Sequence, residues 1–136
     1  MNYRVFISHA ADDTWLAEQL ARGADVAGCA TFLDVRDIPK GADFKEAVRR
    51  EISASDELIA LFTPWSAKRS WVWIELGAAW GQGKPVVAVF HGMCVADLRT
   101  GDQGAAILED INAVRLNDVA AYFAELSARA ANGGNT

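Results

Sequence analysis

Cysteine and proline are scarce in this sequence, with two cysteines and three prolines among 136 residues. Cys29 and Cys94 are far apart, and no metal-ligand spacing occurs around either of them. Two isolated thiols in an acidic domain indicate a reducing compartment rather than a disulfide framework. We therefore expect a cytoplasmic protein without a metal site.

Long hydrophobic runs are also missing. No apolar stretch approaches the roughly 20 residues that a helix needs to cross a bilayer. The stretch after Arg4, residues 5–7, is too short for the core of a signal peptide. We expect neither a targeting segment nor a membrane partner.

The sequence also has no excess of positive charge. Thirteen Lys and Arg stand against 18 Asp and Glu, which gives a formal net charge of −5. Because nucleic-acid binding depends on neutralising phosphates with Lys and Arg, this balance argues against a nucleic-acid partner. The apolar fraction of 51% is ordinary for a globular protein, and the length suits a single domain.

Short apolar segments alternate with helical ones along the chain. Predicted strands cover residues 3–7, 29–33, 58–62, 86–90 and 111–116, and predicted helices cover 14–26, 43–52, 70–82 and 117–130. This alternation predicts an α/β fold of the flavodoxin-like type, a doubly wound sheet of five parallel strands with helices on both faces. Residues 1–131 would form one domain, and 132–136 a frayed tail.

Three of the predicted helices have local start signals in the sequence. Asp12 and Asp13 supply N-cap chemistry, Asp43 and Glu46 have capping-box spacing before the second helix, and Asn117 would cap the last. The apolar positions of the first helix fall roughly on one face and are Trp15, Leu16, Leu20 and Val26.

In a doubly wound sheet, ligands bind outside the carboxyl ends of the strands. Residues 8–11, which follow the first strand, contain no glycine, so neither a dinucleotide fingerprint nor a phosphate-binding P-loop is present. A response-regulator receiver shares this architecture but needs an Asp at the end of the third strand. Thr63 and Pro64 stand there instead.

Residues 70–80 contain three tryptophans and a single carboxylate. Glu75 is the only ionisable residue between Arg69 and Lys84, and it shares a helix face with Trp71, four positions earlier. The pattern alone leaves two interpretations open. Glu75 either points to solvent or pairs with Lys68 or Arg69, or it is placed at an aromatic-walled cleft typical of functional sites.

Four segments, in order, resemble those of a TIR domain of the short, bacterial type. They are Val5-Phe6-Ile7-Ser8-His9, the loop segment 32–41, the Trp71-to-Glu75 spacing and Glu75-Leu76-Gly77-Ala78-Ala79-Trp80. The resemblance covers residues 3 to about 89 and is poor beyond Phe90. Each segment is a weak indicator alone, whereas four in the family's order are specific.

The TIR family contains scaffolds of signalling complexes and enzymes that cleave NAD at the nicotinamide–ribose bond. The resemblance to the enzymes implies that Glu75 is catalytic with Trp71 beside it. It also implies a substrate pocket lined by Phe6, Ser8, His9 and Asp34. A mobile loop would gate the cleft and contact neighbouring subunits through Asp37, Ile38, Pro39, Lys40 and Gly41.

The resulting hypothesis is an NAD glycohydrolase or cyclase acting in defence or cell-death signalling. It would release nicotinamide and ADP-ribose or a cyclic ADP-ribose-type product, with NAD as substrate and no further cofactor. Self-association through TIR–TIR contacts is expected, and a single domain this short suggests a separate activator or effector protein. One alternative is a non-catalytic TIR adaptor, although an adaptor has no chemical need for Glu75. Another is an enzyme similar to nucleoside deoxyribosyltransferases.

Overall fold

Five parallel strands form one sheet in the described part of the chain. The computed structural model describes residues 2–33, 44–68, 70–98 and 111–133. The strands are β1 (Arg4–Ser8), β2 (Ala30–Leu33), β3 (Glu57–Phe62), β4 (Val86–Phe90) and β5 (Asn112–Arg115). Their order in the sheet, β2-β1-β3-β4-β5, is that of flavodoxin-like folds, and it confirms the predicted α/β class.

The helices lie between and after the strands. They are α1 (Thr14–Val26), α2 (Phe44–Ala54), α3 (Ser70–Gly81), α4 (Val95–Leu98) and α5 (Val119–Gly133). The described helices include none that is both long and apolar enough to span a membrane. Helix α5 extends as far as Gly133, inside the predicted tail, and residues 134–136 lie outside the described part of the chain. Asn117 is not the predicted cap, because it sits within the 3-10 turn Leu116–Asp118.

The sheet carries a hydrophobic core on each face, because successive residues of a strand point to opposite sides. In β1, Val5 and Ile7 pack with α1 and α5, whereas Phe6 packs with α2 and α3. The alternation continues through β3 and β4, all of whose residues are buried. Ser8 follows Phe6 by two positions, so it lies on the side of α2 and α3. That placement brings it to the candidate site.

Helix α1 buries part of its predicted apolar face, because Leu20 is buried and Leu16 packs against the core. Its buried positions have helical spacing and small side chains, and they are Ala17, Leu20, Ala21 and Ala24. Trp15 and Val26 are 68% and 89% exposed, so their assignment to the apolar face was wrong. Gly23 lies directly against Phe123 of α5, and a Cβ there would come within 2.3 Å of the ring. The glycine therefore permits the close contact of α1 with α5.

Asp13 precedes α1 but makes no side-chain capping bond, so the predicted capping role was wrong. Its buried carboxylate instead accepts a hydrogen bond from the Thr63 hydroxyl at 2.6 Å. This contact joins the segment after β1 to the segment after β3. Asp43, the cap predicted for the second helix, lies outside the described residues.

The buried carboxylate of Glu57 anchors α5 beneath the sheet. Glu57 is fully buried at the start of β3, and both of its oxygens accept hydrogen bonds. Tyr3 donates at 2.8 Å, Tyr122 at 2.5 Å, and Arg129 donates twice at 2.9 Å. Burial, with the adjacent Glu57 charge, raises the pKa of Tyr122 and of Tyr3 far above the usual value, so both stay neutral donors.

Candidate active site

The candidate site lies at the switch point of the sheet, between the carboxyl ends of β1 and β3. Strand β1 has β2 as its neighbour on one side and β3 on the other. Doubly wound sheets bind ligands at such a point. Ser8 ends β1, and Thr63 directly follows β3. The hydrogen bond from Thr63 to Asp13 joins the segments that follow β1 and β3.

Glu75 points inward from α3 and meets Ser8. The buried residues of this helix are Val72, Glu75, Leu76 and Ala79, so a carboxylate occupies one position of an otherwise apolar face. The Ser8 hydroxyl donates to Glu75 Oε1 at 2.5 Å, and both side chains are 0% exposed. The solvent-facing interpretation of Glu75 is therefore wrong. In the described part of the chain, no ion pair joins it to Lys68, and Arg69 lies outside that part.

A cavity of about 300 Å³ lies between α2 and α3, and Glu75 is part of its wall. Each helix contributes four residues spaced i, i+3, i+4 and i+7, which places them on one helical face. They are Lys45, Val48, Arg49 and Ile52 from α2, and Trp71, Ile74, Glu75 and Ala78 from α3. The prediction that Trp71 and Glu75 share a face is confirmed, and the partly buried indole also packs on the core under α3.

The charges around this cavity are unevenly placed. Lys45 and Arg49 are exposed on the α2 side, and Glu75 is buried on the α3 side. The one ion pair of Arg49 in the described part of the chain, with Glu46, is 4.0 Å long and exposed, so it constrains Arg49 little. Sequence reasoning did not identify Lys45 and Arg49. Their spacing of four, next to the buried Val48 and Ile52, was the available indication.

Phe6 and His9 are both buried. Phe6 is 0% exposed and packs against the Phe32 ring, with centroids 5.1 Å apart, so it forms part of the core. His9 is 4% exposed, its Nδ1 lies 3.4 Å from the Ile7 carbonyl oxygen, and its Nε2 has no hydrogen-bond partner among the described residues. Their expected contact with substrate stays a prediction. The same holds for Asp34, Asp37, Ile38, Pro39, Lys40 and Gly41, which lie outside the described residues.

The remaining tryptophans and the Cys29 thiol contribute less to the site. Trp65 and Trp80 are 59% and 44% exposed, whereas Trp73 packs against Phe62 with ring centroids 5.0 Å apart. Burial raises the pKa of the Cys29 thiol to about 11, which makes it a poor nucleophile. Within the residues that the structure describes, no group of three or more His, Cys, Asp or Glu is arranged to hold a metal ion.

Known structures share this fold over nearly the whole chain. The TIR domain of the Toll-related receptor TRR-2 from Hydra magnipapillata matches with a TM-score of 0.68 and 22% identity, over 92% of this chain and 94% of that one. The TIR domains of the activated Roq1 resistosome, which recognises the pathogen effector XopQ, match with a TM-score of 0.64 and 21% identity, over 96% and 84%. A CMP N-glycosidase from Clostridium botulinum, BcmB, matches with a TM-score of 0.60 and 17% identity, over 92% and 98%.

A comparison with curated proteins yielded no match. The family model described as TIR domain matches residues 5–128. The match therefore continues well past Phe90, where the sequence motifs end, and includes β5 and most of α5. With the parallel five-stranded sheet and its order, this match shows that the chain belongs to the TIR domain family.

Proposed function

We propose that this TIR domain cleaves NAD at the nicotinamide–ribose bond, releasing nicotinamide and either ADP-ribose or a cyclic ADP-ribose-type product. The observation that carries the proposal is the Glu75 carboxylate, which is fully buried, bonded to Ser8 at the switch point and part of a cavity wall. Burying a carboxylate within an apolar helix face is costly for folding. Its presence at this place supports a role in binding or chemistry.

One carboxylate is sufficient for this reaction. Ordinary glycosidases need a second carboxyl group to protonate the leaving group. Nicotinamide in NAD is a cationic pyridinium that leaves as a neutral molecule, so no general acid is required. Positive charge develops on the ribose carbon as the bond breaks. A preorganised anion in a site from which water is excluded stabilises that charge effectively, and Glu75 supplies it.

The similarity to BcmB supports this chemistry by analogy. That protein is a CMP N-glycosidase and shares the fold over 92% of this chain. The nicotinamide–ribose linkage is also an N-glycosidic bond. Because Glu75 has no exposed surface, substrate reaches its carboxylate only after neighbouring groups move, and many enzymes use such a gating step. We propose that residues 34–41 take part in this gating.

The direct test is incubation of the purified protein with NAD, with products identified by mass. Nicotinamide should appear with an equal amount of ADP-ribose and its cyclic form together. A non-catalytic adaptor would leave NAD intact. Unchanged NAD across protein concentrations, with and without candidate TIR partners, would contradict the proposal.

Trp71 should influence which product forms. After nicotinamide leaves, water and the adenosine part of the same molecule compete for the ribose carbon, and the better positioned one reacts. The indole forms part of the same cavity wall as Glu75 and should exclude water there. Trp71→Ala should shift products from cyclic to linear and slow nicotinamide release less than Glu75→Gln does.

The product ratio and the melting temperature together test the role of Trp71. Trp80→Ala is the matched control, because Trp80 is on the same helix, 44% exposed and not part of that cavity wall. An unchanged ratio in a destabilised Trp71→Ala protein would assign Trp71 to packing alone. A wild type that makes no cyclic product would likewise contradict a role in cyclisation.

Self-association is the second part of the proposal. Among the side chains whose burial the structure describes, four large apolar ones are exposed besides Val26, and they are Trp15, Trp65, Ile74 and Trp80. The Roq1 TIR domains, which share the fold, were determined in an activated resistosome. We expect activity per molecule to rise with protein concentration, because we propose that a neighbouring copy contacts residues 34–41 and favours the active state. Rates strictly proportional to enzyme from nanomolar to high micromolar concentration would argue against this.

A further inference from the structure

The cavity between α2 and α3 is positive on one wall and negative on the other. Lys45 and Arg49 lie one turn apart on α2, and the facing wall from α3 carries Trp71, Ile74 and Glu75. In a chain of net charge −5, two cations on one cavity wall create a local field opposite in sign to the overall charge. This arrangement suits a ligand with an anionic end and a cationic, aromatic end.

Neither Lys45 nor Arg49 is held in a strong ion pair by another described residue. Lys45 forms no ion pair within the described ranges, and the 4.0 Å contact of Arg49 with Glu46 is exposed and worth little. Arg50, the next residue, is not part of this wall; it lines a neighbouring groove with Ser53 and Ala54, to which Arg49 also contributes. Lys45 and Arg49 therefore line the cavity, and Arg50 does not.

The size of the cavity limits what fits. Its volume of about 300 Å³ is at the lower end of small-molecule sites, which favours a mononucleotide over a complete dinucleotide. A nicotinamide ribose 5′-phosphate unit has a flat cation at one end and a phosphate at the other. With the ring and ribose towards Trp71 and Glu75, the phosphate would lie towards α2.

We infer that Lys45 and Arg49 form a phosphate subsite for the nicotinamide mononucleotide half of a dinucleotide. The subsite deepens the proposed function and rests on it for the identity of the ligand. Arg offers a planar fork of donors to phosphate oxygens, and Lys adds a compact charge. Together they orient the substrate so that its ribose, rather than its phosphate, meets the negative Glu75 wall.

Calorimetry with two probes tests the subsite. Nicotinamide mononucleotide and nicotinamide riboside differ only by the phosphate, and Glu75→Gln protein prevents turnover during the titration. In that background, Lys45→Gln and Arg49→Gln should each weaken mononucleotide binding about threefold, and the double variant about tenfold, with riboside binding unchanged. Arg50→Gln is the matched control and should change neither. All three positions are exposed, and their melting temperatures should stay equal.

Three results would overturn the inference. The double variant could weaken both probes equally, Arg50→Gln could match its effect, or neither probe could bind. Failure of the proposed reaction is distinguishable. Wild-type protein that leaves NAD intact but binds the mononucleotide through Lys45 and Arg49 would retain the subsite and lose the activity. Protein that cleaves NAD but binds the mononucleotide and the riboside equally well would retain the activity and lose the subsite.

Discussion

Replacing Glu75 by Gln should slow nicotinamide release from NAD about a thousandfold, the loss typical when a preorganised stabilising group is removed. Gln has nearly the same shape, and its carbonyl oxygen can still accept the hydrogen bond from Ser8. The substitution removes the negative charge that would face the developing ribosyl cation and replaces one acceptor oxygen by an amide group of similar size. Circular dichroism and the melting temperature should therefore remain close to wild type.

Two further variants sharpen this result. Ser8→Ala keeps the Glu75 charge but removes the donor that orients it, so its loss of activity should be smaller than that of Glu75→Gln. Glu46→Gln removes an exposed carboxylate from α2 that is not part of the wall of the cavity between α2 and α3, and it should not change the rate. A Glu75→Gln protein with near-normal turnover would show that the mechanism is wrong.

Replacing Glu57 by Gln should cost about 3 kcal/mol of folding free energy, because it removes a fully buried carboxylate that accepts hydrogen bonds from Arg129, Tyr3 and Tyr122. Arg129 would lose its carboxylate, and the new amide would direct a donor towards Tyr3 or Tyr122, which are themselves donors. The melting temperature should fall by roughly 10 °C. NAD cleavage at low temperature should be nearly unchanged, because Glu57 lies at the opposite end of β3 from the candidate site.

The exposed Glu46→Gln variant is again the control and should melt within a degree or so of wild type. The pH dependence adds an independent check. The fold raises the pKa of Tyr3 and Tyr122. Their contribution to the free energy of unfolding is therefore present below the unfolded pKa of about 10 and falls as the pH rises above it. Equal melting temperatures for wild type and Glu57→Gln at pH 7 would contradict the anchoring role.

The sheet could be predicted from sequence because its strands are buried on both faces. Apolar runs such as 58–62 and 86–90 differ sharply from their surroundings, and β4 begins and ends where predicted. Glu75 was identifiable for a similar reason, as an isolated charge among tryptophans. Its contact with Ser8 follows from the alternation along β1, which places Phe6 and Ser8 on the side of α3.

Contacts between distant segments could not be predicted in the same way. Asp13 has the local pattern of a cap, and only the folded chain brings Thr63, 50 positions away, to its carboxylate. Trp15 is apolar and yet exposed, because small residues such as Ala17 and Ala21 let α1 approach the sheet closely. The cavity with Lys45 and Arg49 exists only where two helices meet, so the sequence of neither helix reveals it.

The most direct test of Glu75-dependent cleavage is a side-by-side incubation of wild-type and Glu75→Gln protein with NAD, resolved by mass. The proposed chemistry predicts nicotinamide and ADP-ribose, linear or cyclic, in equal amounts from the wild type, and intact NAD with the variant. Cleavage of the diphosphate, seen as AMP and nicotinamide mononucleotide, would place the reaction at another bond. That outcome, or equal nicotinamide release by both proteins, would contradict the account.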